Sequence, residues 1–428
     1  MPPSTSTQQM AITGIGPVSA VGVGTDACWQ AIAQGTTSAR KRTMVVDIGQ
    51  PIELRIADLS ERPPDGMDRV LGFLAEQRCA GARDLAYAII AAELAARDAH
   101  LEWDRQNNRI GMIQVFEAPG VEATVGQLFG LFGQPLPTDR PPPVYDLLAE
   151  KFYNMQAFNY VHLLAKALGL HGFCTSVHNA CSSAAFAMEV AADCIRQGRA
   201  DVMMVVGGEA FDTAVRLEWF RRLDLYCCND LIRPFSHAPS GFYVGEGAAA
   251  LILESEAHAQ QRGATPYAYY AGGAFAHQGW KQTLPDVSAA RLSGVIQSVL
   301  DTTESQWSDI DLVIPHGAGT ALSDRYEAEC VERSMRRPGV ESSVPCSAHA
   351  AVFKPNFGHL LGASGLIETA AGLLCLKHQC VPPCAGGAAD RRFPFPFVSD
   401  ALPKPLRSLL KVSTGFTGHD AASLFHAI

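Results

Sequence analysis

Long apolar runs are missing from this chain: no stretch of its 428 residues is uniform enough to span a bilayer. Basic residues are in deficit, with 34 Lys and Arg against 43 Asp and Glu and a formal charge of −9. That balance argues against a nucleic-acid surface and leaves no polybasic patch for a membrane. An acidic protein partner would need a local basic patch. Arg216, Arg221 and Arg222 are the candidates, set against the plainer reading of a solvated helix face. The 12 cysteines contain no Cys-x-x-Cys pair and no metal-ligand spacing; Cys227 and Cys228 are adjacent, and Cys380 and Cys384 flank a Pro-Pro turn. So few in so long a chain do not make a disulfide scaffold, and reduced thiols in a cytoplasmic setting are the simplest account. The start, Met1 to Gln9, is polar and uncharged, unlike a secretory signal.

What is present fits a globular protein of two or three structural units, 47% hydrophobic and 18% charged. Ala11 to Gly16 reads as a strand, Ala27 to Ala33 as a helix, Asp84 to His100 as an amphipathic helix and Arg109 to Val115 as a strand. Gly14-x-Gly16 lacks the rest of a dinucleotide fingerprint. Residues 38–80 mix charge with proline and read as irregular. The stretch from about 128 to 146, with Pro135, Pro137 and Pro141-Pro142-Pro143, reads as loop, and Val144 to Leu168 as helix. Residues 255–266 are polar and look like a seam between halves. Alternating strands and helices predict an α/β architecture. No internal repeat is legible.

One stretch draws attention. Phe173 to Val177 reads as a strand, Ala184 to Ile195 as a buried helix stopped by Gly198, and Val202 to Val206 as the next strand. Cys181 stands at the strand-to-helix turn between the first two. There the positive end of the helix dipole favours the thiolate, and backbone N–H groups could bind an oxyanion. A cysteine beside alanines fits simple packing as well.

Further on, the strand Leu312 to Pro315 runs into His316-Gly317-Ala318-Gly319-Thr320, followed by a helix with Asp324 and Glu327 one turn apart. Then come Lys354-Pro355-Asn356-Phe357-Gly358-His359, Gly362-Ala363-Ser364-Gly365 and a helix with Glu368. Taken singly, each histidine suits a structural role and the lysine a solvated one. Phe186, Phe220, Phe242 and Tyr243 suit either a pocket or the core.

In this order the elements are specific. Cys181, His316-Gly-x-Gly-Thr320, Lys354-x-x-x-Gly358-His359-x-x-Gly362-Ala-x-Gly365 and Gly415-Phe416-x-Gly418 resemble the β-ketoacyl-acyl-carrier-protein synthases, the elongating Cys-His-His condensing enzymes of the thiolase superfamily. The likeness runs from Thr13-Gly14-Ile15-Gly16 to Gly418 and includes Arg233-Pro234-Phe235 and Gly241-Phe242-x-Val244-Gly245-Glu246-Gly247. It implies a five-layered α/β/α/β/α thiolase fold. One half, 1–258, would carry the nucleophile and the other, 259–428, both histidines. It also implies an acyltransferase that performs a decarboxylative Claisen condensation, joining an acyl chain on Cys181 to a unit from malonyl-acyl-carrier protein.

By the same resemblance, His316 and His359 donate hydrogen bonds as neutral imidazoles. Lys354 and Glu327 form a supporting ion pair near His359. The N–H groups of Cys181 and Phe416 make the oxyanion hole, with Phe416 gating, and Thr320 binds the pantetheine arm. No metal or separate cofactor is implied, since the phosphopantetheine arm arrives on the acyl carrier protein. The expected partners are that carrier, acyl and malonyl thioesters, and a second chain. That chain is either an identical copy or a ketosynthase-like chain-length factor, paired through the edge strand of the first half.

Departures from the pattern are Ala318 for a threonine that would contact the arm, Ser236, Pro239 and Ser240 after Arg233-Pro234-Phe235, Thr417 for glycine, Asp420 for asparagine, and Phe116-Glu117-Ala118-Pro119-Gly120 for a glycine-rich run. Thr417 should stiffen the loop carrying Phe416. These changes favour specialised polyketide synthesis over fatty-acid synthesis, with neutral drift in loops as the plain account. Two other readings stay open: a Cys acyltransferase that does not elongate, and a chain-length-setting partner subunit.

Overall fold

The computed structural model describes residues 9–428 apart from 48–49, 103–108, 132–142, 228, 230, 289, 337–346 and 388–391. The polar start up to Gln8, the prolines at 135, 137, 141 and 142, and Cys228 therefore lie outside the described residues. Among the described residues every cysteine is free, and no helix is long and apolar enough to cross a membrane.

A single path of paired strands crosses the molecule. It runs His349–Ala350, Leu312–Ile314, Ser408–Gly415, His419–His426, Ala268–His277, Met10–Ile15, Gly247–Ser255, Val202–Glu209, Ile110–Gln114, Cys174–Ser176. Divided between Ala268–His277 and Met10–Ile15, it becomes two lists with one connectivity. Numbered along the chain and read from the outer edge inward, each half has strand order 3-2-4-5-1. The pairing senses repeat too: parallel, parallel, antiparallel, antiparallel from the edge inward. The halves join where Met10, Ala11 and Ile12 lie opposite Tyr270, Tyr269 and Ala268. The repeat that the sequence hides is plain in the topology.

Helices fill three layers around this path. Arg83–Asp98 packs its alanine, leucine and isoleucine face outside the first half. Arg291–Thr302 and Ala321–Ser334 cover the outside of the second half. Between them lie Ser183–Arg196 and Ser364–His378, whose small and aliphatic residues form the central core. Each large aliphatic side chain buried there contributes roughly 1.5–3 kcal/mol. Gly365 lets the two central helices touch at their first turns, since a Cβ on it would lie 2.7 Å from that of Ala184. The result is the α/β/α/β/α arrangement.

Three stretches differ from the sequence reading. Residues 38–80 are not irregular: Ala39–Asp47 and Gln50–Ala57 form an antiparallel hairpin, and Met67–Glu76 is a helix. The hairpin buries Met44, Leu54 and Ile56, while Arg40 and Lys41 pair with Glu61 and Glu53. Lys41, Glu53 and Arg55 share one face, while Arg40 and Arg42 lie on the same face as Met44, Leu54 and Ile56, so charge masks the two-residue period of both strands. Val144 to Leu168 is two helices, Pro143–Lys151 and Ala157–Leu168, joined through one turn at Tyr153–Met155. The polar seam contains the helix Glu256–Gln261, capped by Ser255, whose hydroxyl accepts from the His258 N–H.

Candidate active site

The strand Cys174–Ser176 leads into the loop that carries Cys181, two residues before the start of the helix Ser183–Arg196. Ala180 adopts φ 49°, a left-handed conformation that costs a residue with a Cβ about 1 kcal/mol. Hydrogen bonds hold the loop in place. The Asn179 N–H donates to Ser183 Oγ at 2.8 Å, Ser183 Oγ donates to Ala180 O at 2.7 Å, and Ser182 Oγ donates to His419 O at 2.8 Å. The thiol itself behaves otherwise than the helix dipole suggests. Burial pushes its pKa well up, Glu117 pushes the same way, and Lys354 only partly opposes them. The resting nucleophile is therefore a thiol, because desolvation outweighs the field of one helix end.

His316 follows the strand Leu312–Ile314. Its N–H and that of Gly317 donate to the two oxygens of Glu327, at 2.5 and 2.9 Å. Lys354 comes from the next segment. Its ammonium donates to His316 O at 2.5 Å and to Glu368 Oε1 at 2.6 Å, and lies 3.4 Å from His316 Nδ1. An ammonium cannot accept, so Nδ1 accepts and the imidazole proton sits on Nε2. The expected Lys354–Glu327 ion pair is thus corrected: Lys354 pairs with Glu368, and Glu327 holds the His316 backbone instead. Lys411 completes the group at 2.7 Å from Glu368 Oε2.

His359 lies in the turn before Ser364–His378. Its Nδ1 is 2.6 Å from Ser364 Oγ, leaving Nε2 for substrate. The two imidazoles meet at 5.4 Å between centroids and 74°, and the Phe242 ring stands edge-on to His359 at 5.0 Å. Burial holds both histidines well below their ordinary pKa, with Lys354 and Lys411 adding to the effect. Both are neutral imidazoles. The Cys181 Sγ and one ring nitrogen each of His316 and His359 all lie within 4.8 Å of one another. The same trio has donor types that suit a soft cation, two imidazoles and a thiol.

These three residues open on one cavity of about 260 Å³, together with Thr320, Ala318, Phe416 and Glu117. Phe416 packs edge-on to Trp219 at 5.8 Å, and Thr417 after it has φ 63°. Gly415 brings this loop to the nucleophile, since a Cβ on it would lie 3.4 Å from the Cys181 nitrogen. Phe220 and Phe242 line the cavity. Phe186 packs instead on Phe275, and Tyr243 is buried with its hydroxyl on Pro355 O.

The departures have definite places. Ser240 Oγ accepts from the Arg233 N–H, and its own N–H donates to Gly319 O, tying that loop to the His316 turn. Asp420 accepts from Tyr326 and Gln278. Arg216 is no surface patch: it is held by Glu122 and Glu209, and only Arg221 and Arg222 are exposed, both paired with Glu218. Sequence reasoning missed Lys411 altogether, although a lysine inside Leu409-Leu410-Lys411-Val412 was a signal that a buried counter-ion must exist.

Residues 154–259 match the family described as beta-ketoacyl synthase, N-terminal domain, and residues 267–387 its C-terminal domain. A relative named polyketide beta-ketoacyl synthase 1, from Streptomyces halstedii, is 30% identical over 97% of this chain and 97% of its own. The chain belongs to the β-ketoacyl synthase family. Two solved structures share the thiolase-like ketosynthase fold over 98% of this chain. One is the ishigamide ketosynthase/chain length factor, with TM-score 0.81, 23% identity and 99% of that chain covered. The other is the type II polyketide ketosynthase AntDE, in complex with its acyl-carrier protein AntF and bound to the hexaketide, with TM-score 0.80, 24% identity and 100% covered.

Proposed function

We propose that this β-ketoacyl synthase is an elongating ketosynthase of polyketide synthesis. Cys181 Sγ attacks the thioester of an acyl group on the carrier's phosphopantetheine, and the carrier thiol leaves with the proton. A malonyl thioester then loses CO2, and its α-carbon bonds to the acyl carbonyl. The Cys181 sulfur departs and is reprotonated. The observation that carries this reading is the convergence of a thiol and two neutral imidazoles within 4.8 Å. Negative charge develops first on the thioester oxygen of the decarboxylating unit, where Nε2–H donors stabilise it without giving up a proton. Charge on the acyl-cysteine oxygen would be met by the N–H groups of Cys181 and Phe416, with Thr320 toward the pantetheine arm. No metal or separate cofactor enters these steps.

The acyl carrier protein as partner is supported by the complex of the AntDE ketosynthase with its carrier. A second ketosynthase-like chain, identical or a chain-length factor, is supported by the ishigamide pair. It is also supported by the open edge strand Cys174–Ser176, beside which Phe158 and Phe173 are exposed. The free thiols fit a cytoplasmic setting. Intact-mass analysis with acyl-carrier thioesters, then malonyl-carrier protein, tests the reading. An adduct absent from Cys181→Ala that goes on to an extended β-keto product supports it. An adduct without CO2 release would replace it with a non-elongating acyltransferase. No adduct from any thioester would leave a partner-subunit role.

A further inference from the structure

Glu117 stands where the sequence leaves the glycine-rich pattern, in the loop after the strand Ile110–Gln114. Its backbone is pinned. The His178 ring donates to Phe116 O at 2.9 Å, the Glu117 N–H donates to Glu209 Oε1 at 3.2 Å, and Gly362 is pressed against the same loop. The side chain shares the cavity with Cys181, beside Leu361, Phe242 and Phe416. Its Oε2 is shielded from solvent and has no hydrogen-bond partner among the described residues.

Arg216, whose charge acts on this carboxyl, gives its hydrogen bonds elsewhere. Arg216 gives Nε to Glu122 at 2.8 Å, Nη1 to Glu209 at 3.1 Å and Nη2 to Ala210 O at 3.1 Å. Burial raises the Glu117 carboxyl above the usual carboxylate range, with Arg216 pulling the other way. A buried, unsatisfied polar oxygen in a largely apolar wall calls for a partner that arrives with the ligand.

We propose that Glu117 is a specificity-determining residue that hydrogen-bonds a keto or hydroxyl oxygen on the acyl chain carried by Cys181, so that oxygenated chains are selected over saturated chains of equal length. This deepens the ketosynthase reading and rests on it. In its protonated form the carboxyl gives its O–H to a keto oxygen, and in either form it accepts from a hydroxyl. A saturated chain leaves the carboxyl unpaired, and that deficit, more than any attraction, generates the discrimination.

The test compares Cys181 adduct formation from octanoyl, 3-oxooctanoyl, 5-oxooctanoyl and 5-hydroxyoctanoyl pantetheine thioesters, read by intact mass. Wild type is expected to favour at least one oxygenated chain over octanoyl by about tenfold or more. Glu117→Leu should abolish that preference and Glu117→Gln, which can donate and accept, should retain most of it. Because the variants share each substrate, intrinsic thioester reactivity cancels. Equal rates in wild type, or a preference unchanged in Glu117→Leu, overturn the proposal and leave the ketosynthase reading standing. An unchanged preference with a lowered melting temperature would assign Glu117 to supporting Glu209 and Arg216. No Cys181 adduct from any of the four would overturn the ketosynthase reading, and this proposal with it.

Discussion

Lys354 reaches His316 at two points, its carbonyl oxygen at 2.5 Å and its Nδ1 at 3.4 Å, so one ammonium sets both the position and the tautomer of that imidazole. Replacing Lys354 by Met frees Nδ1 to take the proton and leaves Glu368 with Lys411 alone. Condensation should fall by about 100-fold, while acylation of Cys181 stays within about tenfold. Rapid-quench measurement of adduct and CO2 separates the two steps. Because a buried ion pair is broken, stability should drop by about 3–5 kcal/mol in chemical denaturation. Equal losses in both steps would remove the assigned tautomer role.

Cys181 should alkylate slowly at neutral pH. Its thiol pKa is raised above the ordinary 9.0, so iodoacetamide labelling of the Cys181 peptide should be slower than for free cysteine at pH 7.5. The rate should climb about tenfold per pH unit through pH 9 without levelling off. A plateau below pH 8 would mean that the helix end prevails over burial.

Thr417→Gly should stabilise the protein by about 1 kcal/mol, because Thr417 holds φ 63° with a β-branched side chain. The same change loosens the turn that carries Phe416. Loading of bulky acyl chains should quicken relative to short ones. A melting temperature that falls would show that the lost Thr417 Oγ1 bond to Phe416 O and the greater freedom of glycine in the unfolded chain outweigh the strain.

Stability should decline between pH 6.5 and 8. A carboxyl whose folded pKa exceeds its unfolded value stabilises the fold below the unfolded value and loses that contribution as pH rises through the folded one. Burial raises Glu209 to about 8 and Asp324 and Glu327 to about 7. His316 and His359, held neutral, oppose this trend only below the usual histidine pKa of about 6.5. Melting temperatures at pH 6.5, 7.2 and 8 check the slope, and Glu209→Gln should flatten it. A curve that rises over that range would contradict the assignment.

The grouping of Cys181, His316 and His359 was legible because their turns carry a distinctive order of small and polar residues. Cys181, His316 and His359 each sit at a strand end or a tight turn that the sequence marks with small residues. The ionic arrangement was not legible. Lys354 could have paired with either Glu327 or Glu368, and only packing in three dimensions decides between two carboxylates buried on different helices. The thiol's protonation was misread for a related reason. A helix N-terminus is visible along the chain, but burial under layers that arrive from both halves, and the charge of Glu117 beside the thiol, are not. The hairpin at 39–57 was hidden because charged side chains stand on both of its faces.

The matching strand orders have a consequence for how such a site can change. Cys181 follows the third strand of the first half and His359 follows the third strand of the second, each beside the start of the helix that comes next. Nucleophile and donor therefore occupy the same address in two copies of one design, like the two faces of a symmetric pair fused into a single polypeptide. Fusion frees each copy from having to mirror the other. In the proposed reaction one copy holds the acyl group and the other shapes the incoming carbanion, so the two tasks rest on different halves of the chain.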